Sequence, residues 1–312
     1  MINLFSKQQV ENDMDQQTVH IPVMAQEVMQ FLNLKPGAIV VDGTLGTAGH
    51  SQMMAQAVSP GGQLIGIDRD GHSLAVAAQR LKEFSSQCHL IQDDYRNLNQ
   101  ILHQLGIQEV DAMLFDLGIS SYQLDNPERS FSLKLEGPLD MRMDQESFIS
   151  AYDLVNSLSE REISTILRNF GQERWHNRIA HYLVAQRVRN PIESTKDLTD
   201  TILKAIPHRY HYQKIHPATR TFQAIRIAVN RELEALEIVL DKSIDSLKVG
   251  GRIAVIAFHS LEDRIVKEKF RTFAKAGRLQ LLTKKPLRPT DQETDNNPRS
   301  RSARLRVAQR LK

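Results

Sequence analysis

The sequence has a single cysteine and no long hydrophobic run, and these two absences exclude several classes of protein. One thiol, Cys88, cannot build a disulfide framework or a cysteine-based metal cluster. No apolar stretch approaches the roughly 20 residues that a transmembrane helix needs. The polar, partly acidic N-terminus does not have the pattern of a signal peptide. We therefore expect a cytoplasmic protein without a membrane segment and, because no histidines show ligand spacing, without a metal site.

Net charge is also nearly absent, at +3, but the positive charge is unevenly distributed. Between Arg161 and Arg220, eleven Lys or Arg residues stand against five acids and are accompanied by five histidines. The segment from Arg299 to Lys312 has six basic residues and no acid. Two basic surfaces on a nearly neutral protein indicate a polyanionic partner, although one charge run alone is also typical of a solvated face.

Hydrophobic runs alternate with helical patterns up to Asp116, which predicts βαβ units and a parallel sheet. The predicted strands cover residues 38–41, 63–68, 89–92 and 110–116, and the helices between them cover residues 49–58, 71–84 and 97–105. Four helical segments without a strand follow a loop that runs to about residue 146. One long helical pattern, residues 219–247, leads to a fifth strand at 252–258, a helix at 261–275 and two weaker strands at 279–283 and 303–309.

This order of elements predicts an α/β protein with a Rossmann-like sheet of seven strands and an inserted all-helical domain. We expect a disordered tail over residues 1–18, a ligand-binding domain over 19–124 and 216–312, and the insertion over 125–215. Three local predictions can be checked. Gly171 follows the helix that Ser159 begins, Thr219 or Thr221 caps the long helix, and the Pro-, Asp- and Asn-rich segment 286–300 is a mobile loop.

A turn of small residues after the first predicted strand carries the most specific signal. An apolar run stops at an acid, and Asp42-Gly-Thr-Leu-Gly-Thr-Ala-Gly-His-Ser51 leads into a helix. Small residues let the backbone approach a ligand closely, and the helix N-terminus presents free N–H groups. The dinucleotide pattern G-x-G-x-x-G is absent. The turn looks like the S-adenosylmethionine (SAM) loop of class I methyltransferases, and an ordinary strand-to-helix turn is the alternative.

Polar or aromatic residues stand at the ends of the next three strands. Asp68 ends the second strand, where an acid typically accepts hydrogen bonds from the ribose hydroxyls of NAD or SAM. Tyr95 follows the third strand, and its ring can lie against adenine or pack on its own loop. Asp116 ends the fourth strand, where a carboxylate can accept the N–H of an exocyclic amine, contact the cofactor or cap the strand.

Polar loops follow these strands. The loops Ser120-Ser-Tyr-Gln-Leu-Asp125 and Gly137-Pro-Leu-Asp-Met-Arg-Met-Asp144 indicate recognition of a polar ring, unless their acids and arginine pair with each other. The motif Phe258-His-Ser-Leu-Glu-Asp263 contains a serine and a histidine, but the hydrolase motif G-x-S-x-G is absent. We therefore interpret Ser260 and Asp263 as a capping arrangement for the following helix.

Together these motifs resemble the bacterial small-subunit rRNA cytosine-N4 methyltransferases of the MraW or RsmH type. The matching stretches run in the family's order from about residue 20 to the C-terminus. They are His20-Ile-Pro-Val23, Asp42–Ser51, Asp116-Leu-Gly-Ile-Ser-Ser121 with Gln123-Leu-Asp125, Gly137–Asp144, His216-Pro-Ala-Thr-Arg-Thr-Phe-Gln223, Phe258-His-Ser-Leu-Glu-Asp-Arg264 and Asn297-Pro-Arg299.

The resemblance implies a class I methyltransferase fold, SAM as the methyl donor and 16S rRNA of the small ribosomal subunit as the partner. The target would be N4 of one cytosine, position 1402, in the P-site region of the decoding centre. The implied cofactor contacts are Ala48, Gly49, His50, Asp68, Tyr95, Asp116 and Gln123. Our candidates for contact with RNA phosphates are Arg142, Arg174, Arg178, Arg187, Arg189, Arg220 and the arginines of the segment Arg299–Arg310. The role of Asp116 as proton acceptor does not follow from the resemblance and is inferred from its position.

Two positions depart from the family's pattern, and two other functions stay open. Ala48 stands where the family has Gly, so we expect the loop to sit slightly differently, and Tyr95 stands where Phe is common.

The chain could instead methylate DNA or protein, although the Asp/Asn-Pro-Pro-aromatic motif of amino-methylating DNA enzymes is absent. It could also be a non-catalytic ribosome-assembly factor, against which the set of Asp42, Asp68, Asp116 and Gln123 argues. A homodimer through the inserted helices is left open.

Overall fold

The computed structural model describes residues 21–212 and 215–312, and the chain divides into two compact units. The sheet unit comprises the described residues up to Gly118 and the segment Leu233–Lys312, and the helical unit comprises Ile119–Glu232. The boundaries predicted after residues 124 and 215 therefore lie after residues 118 and 232 instead. The tail predicted over residues 1–18 lies outside the described residues.

Seven strands form one sheet, in the order β3-β2-β1-β4-β5-β7-β6. The strands are β1 (Ile39–Asp42), β2 (Gln63–Asp68), β3 (Cys88–Gln92), β4 (Val110–Asp116), β5 (Leu247–Ala257), β6 (Leu279–Leu281) and β7 (Arg304–Arg310). The first five are parallel, and β7 runs antiparallel to both β5 and β6. The order reverses between β1 and β4, which is the point where doubly wound sheets open a ligand crevice at the carboxyl ends of the strands. This confirms the predicted Rossmann-like sheet of seven strands.

Thirteen α-helices accompany the sheet in the described part of the chain. They are α1 (Ala25–Leu32), α2 (Gly49–Val58), α3 (Gly71–Arg80), α4 (Leu98–Gln104), α5 (Ser121–Asp125), α6 (Ala151–Ser157), α7 (Glu160–Gly171), α8 (His176–Arg187), α9 (Thr195–Ala205), α10 (Thr219–Asn230), α11 (Glu232–Ser246), α12 (Ser260–Lys275) and α13 (Asp291–Asn296). No helix among the described residues is long and apolar enough to cross a membrane.

Both faces of the sheet are buried, because successive residues of its central strands point into two different cores. In β4, Met113 and Phe115 pack with residues of α4, α11 and α12. The alternate residues Ala112 and Leu114 pack with residues of α1, α2 and α3. This layering explains why the central strands are apolar throughout and why their polar residues are concentrated at the carboxyl ends. Half-buried Cys88 borders the second core, and burial raises the pKa of its thiol to about 11.

The helical unit has its own core, built mainly from α6 to α10. Four serines begin its helices with capping boxes, among them Ser159 with Glu162, as the sequence predicted. Gly171 is the last residue of α7 rather than the one after it, and Gln172 takes the left-handed conformation there with φ 49°. Gly171 has a different role: a Cβ on it would lie 2.5 Å from the carbonyl oxygen of Arg220, so glycine lets α7 pack closely on α10.

Four other local predictions were wrong. The long helix breaks at Arg231, whose φ is 51°, and α10 begins after Ala218 without a side-chain cap. The expected loop 286–300 contains α13, which Thr290 caps. α12 is capped by His259 with Glu262, one residue earlier than predicted. The second domain boundary lies at this helix break rather than after residue 215, because residues in the first half of the 219–247 pattern pack in the core of the helical unit.

Candidate active site

The carboxylates at the ends of β1 and β2 anchor the turns that follow the two strands. Buried Asp42 accepts a hydrogen bond from Ser51 Oγ at 2.6 Å and one from the N–H of Thr44 at 3.2 Å. Asp68 accepts the N–H of Gly46 at 2.7 Å. The small-residue turn between β1 and α2 is thus held from two neighbouring strands, and its backbone geometry is set before any ligand binds.

Two positions in this turn have demanding geometry. A Cβ on Gly43 would lie 2.3 Å from the ring of Phe115 on β4, so this position admits only glycine without rearrangement. Ala48 has φ 63°, the left-handed conformation that costs an L-residue roughly 1 kcal/mol, and its methyl group is buried. Ala48 therefore adopts the conformation that the family's glycine would favour, with the methyl group accommodated in the core.

Asp116, at the end of β4, has an asymmetric environment. Its backbone N–H donates to Thr44 Oγ1 at 2.6 Å, and its Oδ2 lies 3.6 Å from Nδ1 of His50. Its other oxygen, Oδ1, is buried and has no hydrogen-bond partner among the described residues. A buried carboxyl oxygen without a partner is costly unless a ligand supplies one, so Oδ1 marks a point of contact for a bound molecule.

The crevice is strongly acidic. Burial raises the pKa of Asp42 and that of Asp68 from 3.8 to about 6. The pKa of Asp116 is raised well above its ordinary value, first by burial and then by the negative charges of Asp42 and Glu262. Burial lowers the pKa of His50 to about 4, so its ring is neutral at physiological pH. A positively charged ligand would relieve the repulsion among these carboxylates.

Tyr95 begins a short 3-10 turn after β3 and is held from two sides. Its ring packs edge-on against Phe115 with a centroid distance of 5.9 Å, and the guanidinium carbon of Arg69 lies 5.5 Å from its ring centre. Arg69 in turn pairs with Asp94 at 2.6 Å. Tyr95 is therefore held against Phe115 of β4 and against Arg69, rather than packing only on its own loop.

The predicted cofactor residues are divided between the two units. Ala48, Gly49, His50, Asp68, Tyr95 and Asp116 belong to the sheet unit, and Gln123 belongs to the helical unit. The side-chain oxygen of Gln123 accepts the N–H of Ser120 at 3.2 Å, in the capping box of α5. Gln123 is thus a buried residue with a structural contact of its own.

The arginines predicted to meet RNA also fall into two groups. Arg142 pairs with Asp140 at 2.6 Å and donates to the carbonyl of Ser147, which is the internal pairing that the sequence left as an alternative. Arg187 donates to the carbonyl of Val155 at 2.7 Å. The other predicted arginines of the helical unit are exposed, and these are Arg174, Arg178, Arg189 and Arg220.

Two of the exposed arginines line a cleft of about 260 Å³ in the helical unit. The guanidinium carbon of Arg174 lies 4.7 Å from the ring centre of Trp175 and 4.2 Å from that of Tyr210. Arg220 lines the same cleft and donates to the carbonyl of Gln172. We call Arg174, Trp175, Tyr210 and Arg220 the stacking cluster, because it combines positive charge with flat ring surfaces.

Three of the six basic residues of the C-terminal segment pair with acids within the sheet unit. Arg304 and Arg306 both pair with Asp263, at 3.4 Å and 2.7 Å, and Arg310 pairs with Glu109 at 2.9 Å. Arg306 is also buried. These three arginines stabilise β7 and its neighbours, so the count of basic residues overstated the charge that this segment presents to a partner.

Sequence reasoning missed several residues that build the crevice. Thr44 and Ser51 were part of the quoted turn, but only the structure shows that they hold Asp116 and Asp42. Glu262 is buried, and its Oε2 accepts the N–H of Phe258 at 2.8 Å. The signal was present, since an acid three residues after a capping position is typical of a capping box, but the cap was placed at Ser260 instead of His259.

Comparison with known proteins agrees with this geometry. The MraW methylase family matches residues 17–311. A ribosomal RNA small subunit methyltransferase H from Trichlorobacter lovleyi is 48% identical over 307 residues, which cover 94% of this chain and 98% of that protein. The protein of the same name from Halothermothrix orenii is 45% identical over the same coverage. The chain belongs to the MraW methylase family, and it is a methyltransferase that uses S-adenosylmethionine.

Proposed function

We propose that the protein transfers a methyl group from SAM to N4 of one cytosine, position 1402, in 16S rRNA at the decoding centre. The observation that carries this proposal is Asp116, a shielded carboxyl group at the carboxyl edge of β4, one oxygen of which has no hydrogen-bond partner among residues 21–212 and 215–312. The relatives named above are rRNA methyltransferases of the small subunit, which supports the class of substrate.

The residues of the sheet unit fit SAM. When bound, SAM supplies an electrophilic methyl group on a positively charged sulfonium, and the acidic crevice stabilises a cation. The free N–H groups of the turn and of the first residues of α2, Gly49 and His50, would contact its polar atoms. Asp68 retains lone pairs for ribose hydroxyls beyond its two backbone contacts, and Tyr95 offers an aromatic face for adenine. Gln123 is carried over from the family resemblance as a further contact.

Asp116 would act on the amine that receives the methyl group. The exocyclic amine of cytosine is a weak nucleophile, because its lone pair is delocalised into the ring. A carboxylate at Oδ1 that accepts the amine N–H localises this lone pair and takes the proton as the new C–N bond forms. The raised pKa of Asp116 suits this role, since a more basic carboxylate is a stronger proton acceptor once a cation in the crevice has ionised it.

The stacking cluster supports a single-stranded nucleic acid as the substrate. Unpaired bases stack on aromatic rings and on guanidinium planes, while arginines neutralise the phosphates. The cytosine must leave any base stack before its N4 can reach the methyl group, so the substrate has to be held with its bases splayed apart. Arg174, Arg178, Arg189 and Arg220 are therefore proposed to contact the rRNA, in the cytoplasm where the subunits are found.

The test is transfer of labelled methyl groups to three substrates: unmodified small ribosomal subunits, DNA and total protein. The rRNA is then digested and the labelled nucleoside is identified. We expect the label in N4-methylcytidine at a single position. Label in DNA or protein instead would replace the proposed substrate. SAM binding without transfer to any of the three would contradict the rRNA assignment for the substrates tested and favour a non-catalytic role.

A further inference from the structure

Two segments far apart in sequence, residues 21–24 and 293–297, meet in the sheet unit, and we call their contact the clasp. Glu293 Oε1 of α13 accepts the N–H of Met24 at 2.6 Å, and Asn297 Nδ2 donates to the carbonyl of Ile21 at 3.0 Å. Met24 is almost fully buried and has φ 52°, a conformation that a non-glycine residue keeps only when its surroundings hold it there. The clasp therefore fixes the backbone of residues 21–24. The proposed methyl transfer gives this segment no role so far.

The clasped segment in turn fixes the ring of His50. The carbonyl oxygen of Val23 lies 2.9 Å from Nε2 of His50, and both residues are buried. A carbonyl oxygen only accepts hydrogen bonds, so Nε2 must carry the proton. A neutral imidazole has a single N–H, and Nδ1 is left with a lone pair. That lone pair lies 3.6 Å from Oδ2 of Asp116, and a shift of about 0.6 Å would bring the two atoms to hydrogen-bond distance.

We propose that the clasp holds His50 in its Nε2–H form, and that His50 is a positioning residue for Asp116, whose protonated Oδ2 donates to Nδ1. This arrangement assigns different tasks to the two carboxyl oxygens. Before SAM binds, Oδ2 carries the proton toward His50. When the positively charged cofactor occupies the crevice, this proton leaves to solvent, and Oδ1 of the resulting carboxylate accepts the amine N–H. The inference rests on the proposed function, because it deepens the role of Asp116 in it.

The other groups that face Asp116 are consistent with this division. Asp42 on β1 and Glu262 on α12 are both acids that disfavour its ionised form, and Thr44 Oγ1 accepts the backbone N–H of Asp116. His50 is thus the neutral acceptor that can receive the carboxyl proton. Asp116 is neutral again once its carboxylate has taken one proton from the amine, and the arrangement with His50 is restored after the products leave.

The test compares Glu293→Ala with Glu293→Gln, since the glutamine amide oxygen can still accept the N–H of Met24. ¹⁵N NMR of the histidine side chains in the free protein reports the tautomer of His50. Calorimetry reports how SAM affinity depends on pH. We expect the Nε2–H form in the wild type and in Glu293→Gln, and a mixture with the Nδ1–H form in Glu293→Ala. An Nδ1–H donates to ionised Asp116 and so stabilises the carboxylate. The midpoint of the curve of SAM affinity against pH should therefore fall by about one pH unit.

His50→Gln is the second variant, and it decides the outcome if Glu293→Ala does not fold. Its amide keeps a donor for Val23 but has no Nδ1 acceptor, so the same downward shift of the midpoint is expected. The inference is overturned by an Nδ1–H form in the wild type, or by a midpoint that moves in neither Glu293→Ala nor His50→Gln. Both readouts use protein and SAM without rRNA. A wrong assignment of the rRNA substrate would therefore leave them unchanged and would show only in the transfer assay.

Discussion

The two units of this chain place the charges proposed to meet a ligand differently. The sheet unit buries its acids in a crevice and fixes them with backbone N–H groups, hydroxyl groups and one neutral histidine. The helical unit packs apolar side chains in its core, buries a few charged residues such as Arg129 and Glu173, and presents arginines and aromatic rings at its surface. Chemistry on a bound cation needs a small, rigid and desolvated set of groups, whereas a long polyanion is held by many exposed and separately weak contacts. We therefore expect that few substitutions are tolerated in the turn of the sheet unit. Each substitution of an exposed arginine or ring in the helical unit should cause only a partial loss of RNA binding.

The largest effect is expected for Gly43→Ala in the turn. The new Cβ would meet the Phe115 ring at 2.3 Å, so the turn or the strand end must move. We expect SAM affinity to fall by about 100-fold or more, because the backbone N–H groups of the turn lose their alignment. Calorimetric titration with SAM measures this. Gly71→Ala is the matched control, since its Cβ would meet only the flexible end of Gln92, and an equal loss in both variants would contradict the account.

Asp42→Asn should remove a pH dependence of stability. The folded pKa of Asp42 is about 6 and the unfolded value is about 3.8, so the folded state holds this proton more tightly. The stabilisation is fully present below pH 3.8 and is lost as the pH rises through 6. The wild type should therefore lose up to about 3 kcal/mol from this group between pH 4 and pH 7, and Asp42→Asn should not. Urea unfolding at a series of pH values tests this, and parallel curves for the two proteins would contradict it.

Arg174→Ala and Trp175→Ala in the stacking cluster should weaken RNA binding and leave the chemistry intact. We expect KM for the ribosomal substrate to rise about 10-fold in each variant, with kcat and SAM affinity close to wild type. The salt dependence of subunit binding should become shallower only for Arg174→Ala. Arg271→Ala, an exposed arginine of the sheet unit, is the control and should change KM less than about two-fold. A fall in kcat with unchanged KM would place the cluster in the chemical step instead.

The smallest effect is expected for Ser159→Ala in the helical unit. It removes the capping box that begins α7 and should cost about 1 kcal/mol of stability. Transfer kinetics at a permissive temperature should stay as in the wild type, because Ser159 and Glu162 cap a helix of the helical unit and touch none of its proposed RNA-contacting arginines. Thermal unfolding together with a transfer assay checks this, and a loss of rate without a loss of stability would contradict it.

The sequence was informative where one strong local signal determines the structure. Four strands of the sheet end at or near acids or aromatics that could be read directly, so Asp42, Asp68, Tyr95 and Asp116 were found before their geometry was known. Helix ends were less predictable. The 219–247 pattern is interrupted at Arg231, which adopts the left-handed conformation although it is not a glycine, so nothing in the sequence indicated the break. The boundary of the helical unit moved with that break.

Long-range contacts could not be predicted at all. The carbonyl of Val23 meets His50, and Glu293 meets Met24 across nearly the whole chain. Such pairs depend on how the sheet brings distant segments together, and no spacing in the sequence encodes them. The same reason explains why the arginines Arg304, Arg306 and Arg310 looked like a basic surface, although each pairs with an acid that is remote in sequence. A homodimer through the inserted helices stays a prediction.

The most direct test of the account separates the two roles of Asp116 in one variant, Asp116→Asn. The asparagine keeps the shape and a hydrogen-bond acceptor but cannot take a proton at neutral pH. Single-turnover transfer to unmodified small subunits at saturating SAM should be slower by about 1,000-fold or more, while the Kd for SAM changes less than about 10-fold. A transfer rate close to wild type, or a loss that saturating SAM restores, would contradict the claim that Asp116 accepts the proton from the methylated amine.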